Sequence, residues 1–159
     1  MRVDRRLDDD VQLLVRLGSD RDPVMALRQA LLSAPLYRNF PGYEAAGAVT
    51  VSTFIVAGQS DAEDLAAGEG YETFGLAAVG RLRGLGYEVV ATDVFEDGVP
   101  VPFSDRHVDV VVCRYPEGQG LYEPALPKAA RKKVREELLP LYKAALNAFE
   151  PRVPSEQGE

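Results

Sequence analysis

Runs of apolar residues, separated by glycine, proline and acidic turns, divide the chain into predicted elements. The clearest run is VTVSTFIVA, residues 49–57, whose β-branched residues and interspersed Thr and Ser predict a strand with one face only partly covered. Two further runs, YEVVATDVF at 87–95 and HVDVVVCRY at 107–115, also predict strands. Because the connection between them is too short for the crossover that parallel neighbours need, we expect an antiparallel hairpin.

The N-terminal part of the chain has a pattern that fits two structures. Apolar residues in 3–17 recur at helical spacing up to Gly18, whereas VQLLVRL within that range also alternates as a strand does. Helix is the preferred interpretation and strand is the alternative. The next segment predicts a second helix, because Asp22 can cap it and Pro23 suits its first position. Residues 1–35 are therefore predicted to contain N-terminal helices.

A helical crossover is predicted between the strand at 49–57 and the hairpin. Ser60 and Glu63 have the spacing of a capping box at its start, and helices are expected at 61–67 and 71–84. If the flanking strands are parallel neighbours, this arrangement is a right-handed βαβ unit. Two glycines are expected where neighbouring segments pack closely: Gly75 and Gly80.

The last third of the chain is predicted to form one long helix. Apolar residues make a stripe along 127–149, and Pro140 inside the stripe should kink or split the helix. Residues 150–159 are expected to be a polar tail. The whole pattern predicts a single domain over 1–159 with its sheet in 49–116. The predicted fold is α/β (α+β), with a small mixed sheet of three to four strands.

Composition and charge narrow the functional classes. The 159 residues suit one domain, and a hydrophobic content of 46% allows a buried core. The formal net charge of −7 argues against nucleic acid and anionic membranes as partners. Cys113 is the single cysteine and cannot form an internal disulfide. The N-terminus lacks the pattern of a signal peptide and no apolar run is long enough for a membrane helix, so we expect a soluble protein of the cytoplasm or of a virion.

The acidic residues around the hairpin are better explained by turns than by catalysis. GYEVVATD resembles the second strand of class I methyltransferases, but Asp93 and Asp109 are too close in sequence for the further strand and crossover of that fold. Together with Asp97 and Asp105 they could suit a hard cation. Asp97 is followed by Gly98, however, and this pair is typical of a hairpin turn. We predict no metal site.

His107 is the one histidine of the chain and lies between Asp105 and Asp109. A histidine can act as a general base when a carboxylate orients it. The residue stands at the entrance of a predicted strand, and the sequence pattern places no nucleophile beside it. We therefore assign no catalytic, cofactor-binding or metal-binding residue, and we expect no cofactor.

Two segments are predicted to contact other proteins. The connection inside the hairpin is longer than a tight turn and should project beyond the sheet, as binding loops do. A cluster of basic residues stands out in an otherwise acidic chain and suits an acidic surface, including that of a second copy. The predicted interface residues are Glu96, Asp97, Pro100, Pro102 and Phe103 in the connection, and Lys128, Arg131, Lys132, Lys133 and Arg135 in the basic cluster.

The order strand, helix and hairpin over 49–116, ending in GYEVVATDVFEDG and SDRHVDVVVCRYP, resembles the tail-terminator and neck proteins of long-tailed phages. The resemblance implies a non-enzymatic subunit that forms rings. Our first hypothesis is accordingly a structural assembly subunit, with other protein subunits as partners and homo-oligomers as the expected state. Two alternatives stay open: a small α/β enzyme or ligand-binding domain with a pocket at the strand ends near Gly58, Asp93 and Arg114, and a regulatory protein that binds another protein.

Overall fold

The computed structural model describes residues 7–18, 46–70, 72–92, 95–96, 98–100, 103–116, 132, 136 and 139–155. Its strands are β1 (Gln12–Gly18), β2 (Ala46–Val56), β3 (Thr73–Ala78), β4 (Glu88–Ala91), β5 (Phe95–Glu96), β6 (Val99–Pro100), β7 (His107–Pro116) and β8 (Glu150–Arg152). Its helices are α1 (Gln59–Glu69), α2 (Val79–Gly84) and α3 (Leu139–Asn147). Six strands form one sheet in the order β4-β7-β2-β1-β3-β8, and β5 pairs with β6 in a separate two-stranded sheet.

All strand pairings in the six-stranded sheet are antiparallel. The predicted mixed sheet of three to four strands with a βαβ unit is therefore wrong. The predicted unit joins the strands at 49–57 and 87–95, which correspond to β2 and β4. These two strands run in the same direction, but β7 lies between them in the sheet and pairs with both. The architecture is α+β, because this inserted strand separates the two strands that a βαβ unit would pair.

β1 occupies part of the segment for which helix was the preferred interpretation. Leu13 and Leu14 are both fully buried, and they belong to apolar clusters on opposite faces of the sheet. Because the strand is covered on both faces at Leu13 and Leu14, its alternation is interrupted there, and the same apolar residues also fit helical spacing. The strand alternative is confirmed for Gln12–Gly18, whereas the predicted helix after Pro23 lies outside the described residues.

β3 replaces the first half of the helix predicted over 71–84. Five successive residues, 73–77, are buried, so this segment again shows no alternation of polar and apolar positions. A short apolar run of this kind cannot be assigned to strand or helix from its spacing alone. Helix is present only in α2, which begins at Val79.

The predicted close packing at two glycines is confirmed. A Cβ atom added to Gly75 would lie 2.8 Å from Cβ of Phe149, and one added to Gly80 would lie 2.8 Å from Cβ of Asp9. Gly80 also donates its backbone N–H to the carbonyl of Asp9 at 2.8 Å, which ties the start of α2 to the segment before β1. Both glycines allow a contact that any side chain would block.

The predicted capping box of Ser60 and Glu63 is wrong. α1 begins after Gly58 without a side-chain cap. Glu63 instead accepts hydrogen bonds from the backbone N–H and the hydroxyl of Ser155, at 3.2 and 3.0 Å. These bonds hold the segment after β8 against α1.

The predicted long C-terminal helix over 127–149 is also wrong. α3 has nine residues, and the longest helix in the described part of the chain is α1, with eleven. Pro140 lies within α3, but residues 137 and 138 before it are outside the described residues, so the kink or split expected at this proline stays a prediction. After α3, the segment expected as a polar tail begins as the edge strand β8, paired with β3. None of the described helices is both long and apolar enough to cross a membrane.

The sheet carries an apolar cluster on each face. Residues of α2 and α3 cover the face that includes Leu13, and residues of α1 cover the face that includes Leu14 and Phe54. Cross-strand partners share a face, and Phe54 is the partner of His107 on β7. The face under α1 therefore continues into a polar region on β2, β7 and β4.

Candidate functional site

Four polar side chains form a connected group in this polar region. Ser52 lies on β2, His107 and Asp109 lie on β7, and Thr92 follows β4 directly. Their proximity is a consequence of register: Ser52 is the Cα partner of Asp109, and the backbone N–H of Thr92 donates to the carbonyl of His107 at 3.1 Å. We call these four residues the relay.

Hydrogen bonds join the relay residues end to end. Ser52 Oγ lies 2.5 Å from His107 Nε2, and Thr92 Oγ1 lies 2.7 Å from His107 Nδ1. Thr92 Oγ1 also donates to Asp109 Oδ2 at 2.9 Å. The order along the relay is therefore hydroxyl, imidazole, hydroxyl and carboxylate.

The direction of these hydrogen bonds follows from the number of protons. Thr92 Oγ1 donates to Asp109 Oδ2, so its single hydroxyl proton points towards Asp109. Thr92 Oγ1 then accepts from Nδ1–H of His107, and in a neutral imidazole this leaves Nε2 as the acceptor for the Ser52 hydroxyl. Each bond polarises the next in the same sense. His107 therefore presents its basic nitrogen to Ser52.

The relay residues differ in their exposure to solvent. Asp109 is fully buried and His107 is 3% exposed, while Thr92 is also buried. Ser52 is the one member that is only partly buried. The ring of His107 is further fixed by Phe54, which meets it edge-on with 5.5 Å between the ring centroids. The base and its orienting groups are thus enclosed, and the serine hydroxyl is at the accessible end.

The segment before His107 is anchored to α1 by an ion pair. Arg106 Nη1 lies 3.2 and 3.1 Å from the two carboxylate oxygens of Asp61, which also accepts the backbone N–H of Ala57 at 2.8 Å. The hydrogen bond from Ala57, followed by the contacts with Arg106, holds the pKa of Asp61 below its usual value. Because Ala57 follows β2 and Arg106 precedes β7, Asp61 links the two strands that carry Ser52 and His107.

Residues 93–106 connect Thr92, which follows β4, to β7, and we call this connection the arm. The antiparallel pairing of β4 with β7 confirms the predicted hairpin. Within the arm, β5 and β6 pair with each other, and Gly98 between them has a φ of 78°, as expected for the turn predicted there. Val99 is 64% exposed, and Pro100 is exposed as well. The arm therefore presents an apolar side chain to solvent.

The base of the arm is held against the body of the protein. Phe103 has a left-handed backbone conformation, with a φ of 63°, and packs against the apolar cluster under α1. A short 3₁₀ turn, Ser104–Arg106, follows and leads into β7. Arg106 lies over the Phe103 ring at 5.8 Å from its centroid.

The predicted interface residues lie in different parts of the structure, and some of them are outside the described residues. Glu96 on β5 and Pro100 on β6 belong to the hairpin of the arm, whereas Phe103 belongs to its base. Lys132 of the basic cluster is exposed. The others lie outside the described residues: Asp97, Pro102, Lys128, Arg131, Lys133 and Arg135.

The pocket predicted near Gly58, Asp93 and Arg114 does not form as expected. Arg114 pairs with Ala48 near the start of β2, whereas Gly58 follows the end of that strand. At ~3.3 Å per residue these positions are roughly 30 Å apart. Asp93 lies outside the described residues. The two positions that can be compared are at opposite ends of the sheet.

Ser52 and Thr92 are site residues that the sequence did not indicate, and His107 and Asp109 were considered there without partners. The available signal was weak: a serine inside an apolar strand, and a histidine and an aspartate at alternate positions of another. Pairing Ser52 with Asp109 requires the register of β2 and β7, which shifts between Val49 and Thr50. The hydrophobic pattern of each strand on its own does not show how the two strands are aligned with each other.

Among the residues with described positions, no group of three or more His, Cys, Asp and Glu side chains is arranged to hold a metal ion. Comparison of the chain with protein-family models, with curated proteins and with solved structures found no significant match.

Proposed function

We propose that this protein is an assembly subunit that binds other protein subunits through the arm. Its main proposed partner is another copy of the same chain. The observation that carries this proposal is the exposure of Val99, 64%, on a hairpin that does not pair with the six-stranded sheet. An apolar side chain gains roughly 25 cal/mol for each Å² of its surface that a partner covers.

The anchored base supports this role. A hairpin as short as β5–β6 is only marginally stable alone in water, so its order depends on the contacts at its base. Those contacts are the packing of Phe103 under α1, the ion pair of Arg106 with Asp61, and the backbone bond from Thr92 to His107. Segments held in this way by a rigid sheet are suited to binding.

The charges along the sequence favour contact between two unlike surfaces. The arm contains Glu96 and Asp97, and the basic cluster within 128–135 includes the exposed Lys132. When two different surfaces of identical chains meet, the contact is head-to-tail and produces a ring if the rotation closes. This agrees with the resemblance to tail-terminator and neck proteins, which stays a prediction, as does a location in the cytoplasm or in a virion.

Size-exclusion chromatography with light scattering tests the proposal over a range of concentrations and salt. We expect a mass that is a multiple of the monomer and that falls at high salt, because screening weakens contacts between exposed charges. Val99→Asp should reduce the measured mass of the oligomer. Val153→Asp is the control, at a position outside the arm that is 60% exposed, and it should leave this mass unchanged. A monomer under all conditions contradicts the proposal.

A second pair of variants tests the basic cluster separately. Lys132→Glu should weaken the oligomer, and Lys143→Glu, at an exposed position of α3, is the matched control with the same change of charge. If both variants weaken the oligomer equally, overall charge and not the basic cluster determines assembly.

A further inference from the structure

We propose that Ser52 is a nucleophile that reacts with carboxylic esters of short acyl chains, with His107 as its general base. This activity goes beyond the binding function and does not depend on the arm having a partner. It is inferred from the directed hydrogen bonds of the relay and from the unequal exposure of its members.

The relay supplies the activation that a serine needs. A serine hydroxyl is a weak nucleophile until a neighbouring base accepts its proton. His107 Nε2 lies within hydrogen-bond distance of Ser52 Oγ, and Thr92 holds the proton on the opposite nitrogen, Nδ1. In the Ser-His-Asp arrangement a carboxylate orients the histidine directly. Here Thr92 lies between them and carries the same orienting influence from Asp109.

Exposure separates the reacting end of the relay from its supporting end. His107 and Asp109 are enclosed, so water does not compete for their hydrogen bonds. Low polarity around such bonds strengthens them and keeps their geometry fixed. Ser52 is the one member that keeps part of its surface in solvent. The nucleophile is thus at the end of the relay nearer to solvent, while its base is protected.

The neighbours of Ser52 define the class of substrate. Alternate residues of a strand point to the same face, so Thr50 and Phe54 flank Ser52 on β2. Both side chains are larger than that of serine, so they limit the width of an acyl group that can approach Ser52 Oγ. A short, unbranched acyl group can bring its carbonyl carbon to this oxygen, whereas a branched or aromatic acyl group is obstructed. Acetyl esters are the first members of this class.

The reaction requires only the ester and water. Ser52 Oγ forms a bond to the carbonyl carbon while its proton moves to His107 Nε2. The bond from that carbon to the alcohol oxygen then breaks, and the alcohol leaves with the proton from Nε2. Water adds to the acyl carbon as His107 accepts one of its protons, and that proton returns to Ser52 Oγ as the carboxylic acid is released.

Labelling of the full chain with a fluorophosphonate, followed by peptide mass mapping, tests the nucleophile. Ser52 Oγ displaces fluoride from phosphorus and keeps the phosphonyl group. We expect Ser52 to be labelled ~10²-fold faster than Ser60, an exposed serine of α1 and the internal control, because general base catalysis contributes about that factor or more. In urea the difference should vanish. Equal rates at both serines in the folded protein, or no label at Ser52, overturn the proposal.

Hydrolysis of p-nitrophenyl acetate tests turnover and the role of Thr92 as a positioning residue. Ser52→Ala should abolish the activity. Thr92→Val should reduce both turnover and labelling of Ser52, and Thr92→Ser, which retains the hydroxyl, should restore them. If Thr92→Val does not fold, the comparison of Thr92→Ser and Ser52→Ala with the unchanged protein remains decisive. Activity that survives Ser52→Ala contradicts the proposal.

Discussion

Ser52 and Asp109 are direct cross-strand partners on β2 and β7, yet hydrogen bonds connect their side chains by way of His107 and Thr92. The residues of the relay thus belong to strands whose relative positions are fixed by backbone pairing. A site on strands is held more accurately than a site on loops. The geometry of the relay therefore depends on the register of the sheet.

Loss of the Thr92 hydroxyl should destabilise the fold. Thr92→Val keeps the shape of the side chain but removes its bonds to His107 and Asp109, and we expect a loss of about 1–3 kcal/mol in the free energy of unfolding, measured in urea. Thr53→Val is the comparison, because it removes a single bond to the neutral carbonyl of Val108. A larger loss for Thr53→Val would contradict the importance of the two bonds that Thr92 makes to His107 and Asp109.

Gly75 should not tolerate a side chain. In Gly75→Ala the new methyl group would approach Phe149 Cβ to 2.8 Å and Val15 Cγ1 to 3.2 Å, so β3 or the residues between α3 and β8 must move. We expect a loss of about 1–3 kcal/mol in urea unfolding, the usual effect of overpacking. Gly68→Ala is the control: it lies inside α1 with no atom within 4 Å of the new methyl group, and it should stabilise by roughly 0.5–1 kcal/mol. Equal effects of the two would mean that the contact with Phe149 is not restrictive.

The parts of the fold that the sequence predicted are local ones. β4 and β7 are near each other in the chain, and their apolar residues contrast with the polar, proline-containing connection between them. Because that connection is too short for a crossover, the antiparallel pairing could be predicted from the spacing. β3 was obscured because burial on both faces removes the alternation of a strand, and β1 was ambiguous because Leu14 interrupts its alternation. The relay was not predictable, because Ser52 and His107 are 55 positions apart and meet only through a register that contains a shift.

Asp61 should contribute stability that depends on pH. Its pKa is lowered in the folded protein, chiefly by the hydrogen bond from Ala57, so the ionised carboxylate stabilises the fold above the unfolded-state pKa of ~3.9. That contribution is lost as the pH falls through the folded-state value. Asp61→Asn should cost about 0.2–1 kcal/mol near neutral pH, since the pair with Arg106 is partly exposed.

The same comparison in acid completes the test. The difference in unfolding free energy between Asp61→Asn and the unchanged protein should shrink as the pH falls below ~4, where Asp61 becomes protonated in the unfolded state. Asp64→Asn, at an exposed position of α1, is the matched control and should show a smaller difference at neutral pH. A difference for Asp61 that does not change with pH would exclude its charge as the cause.

Tyr87 should limit stability in alkaline solution. Its hydroxyl donates to the carbonyl of Leu141, and burial raises the pKa of this phenol. The protonated form therefore stabilises the fold below the unfolded-state pKa of ~10, and the contribution is lost as the pH rises through the folded-state value. Tyr87→Phe should lower the free energy of unfolding by about 0.5–1.5 kcal/mol near neutral pH, and above pH ~10 the stability of the variant should fall less steeply than that of the unchanged protein. Urea unfolding followed by circular dichroism at neutral and alkaline pH measures both effects. Identical dependence on pH for the two proteins would contradict the prediction.

The central place of β1 has a consequence for how the chain reaches its fold. β1 precedes both of its partners in synthesis, and it can pair on both edges only after β2 and β3 have left the ribosome. β4 and β7, in contrast, are close in the chain and can pair as soon as both are present. Long-range pairings close slowly because large loops must be ordered first. We therefore expect β4 and β7 to pair before β1 is enclosed by both of its partners, so the earliest part of the message encodes a late step of folding.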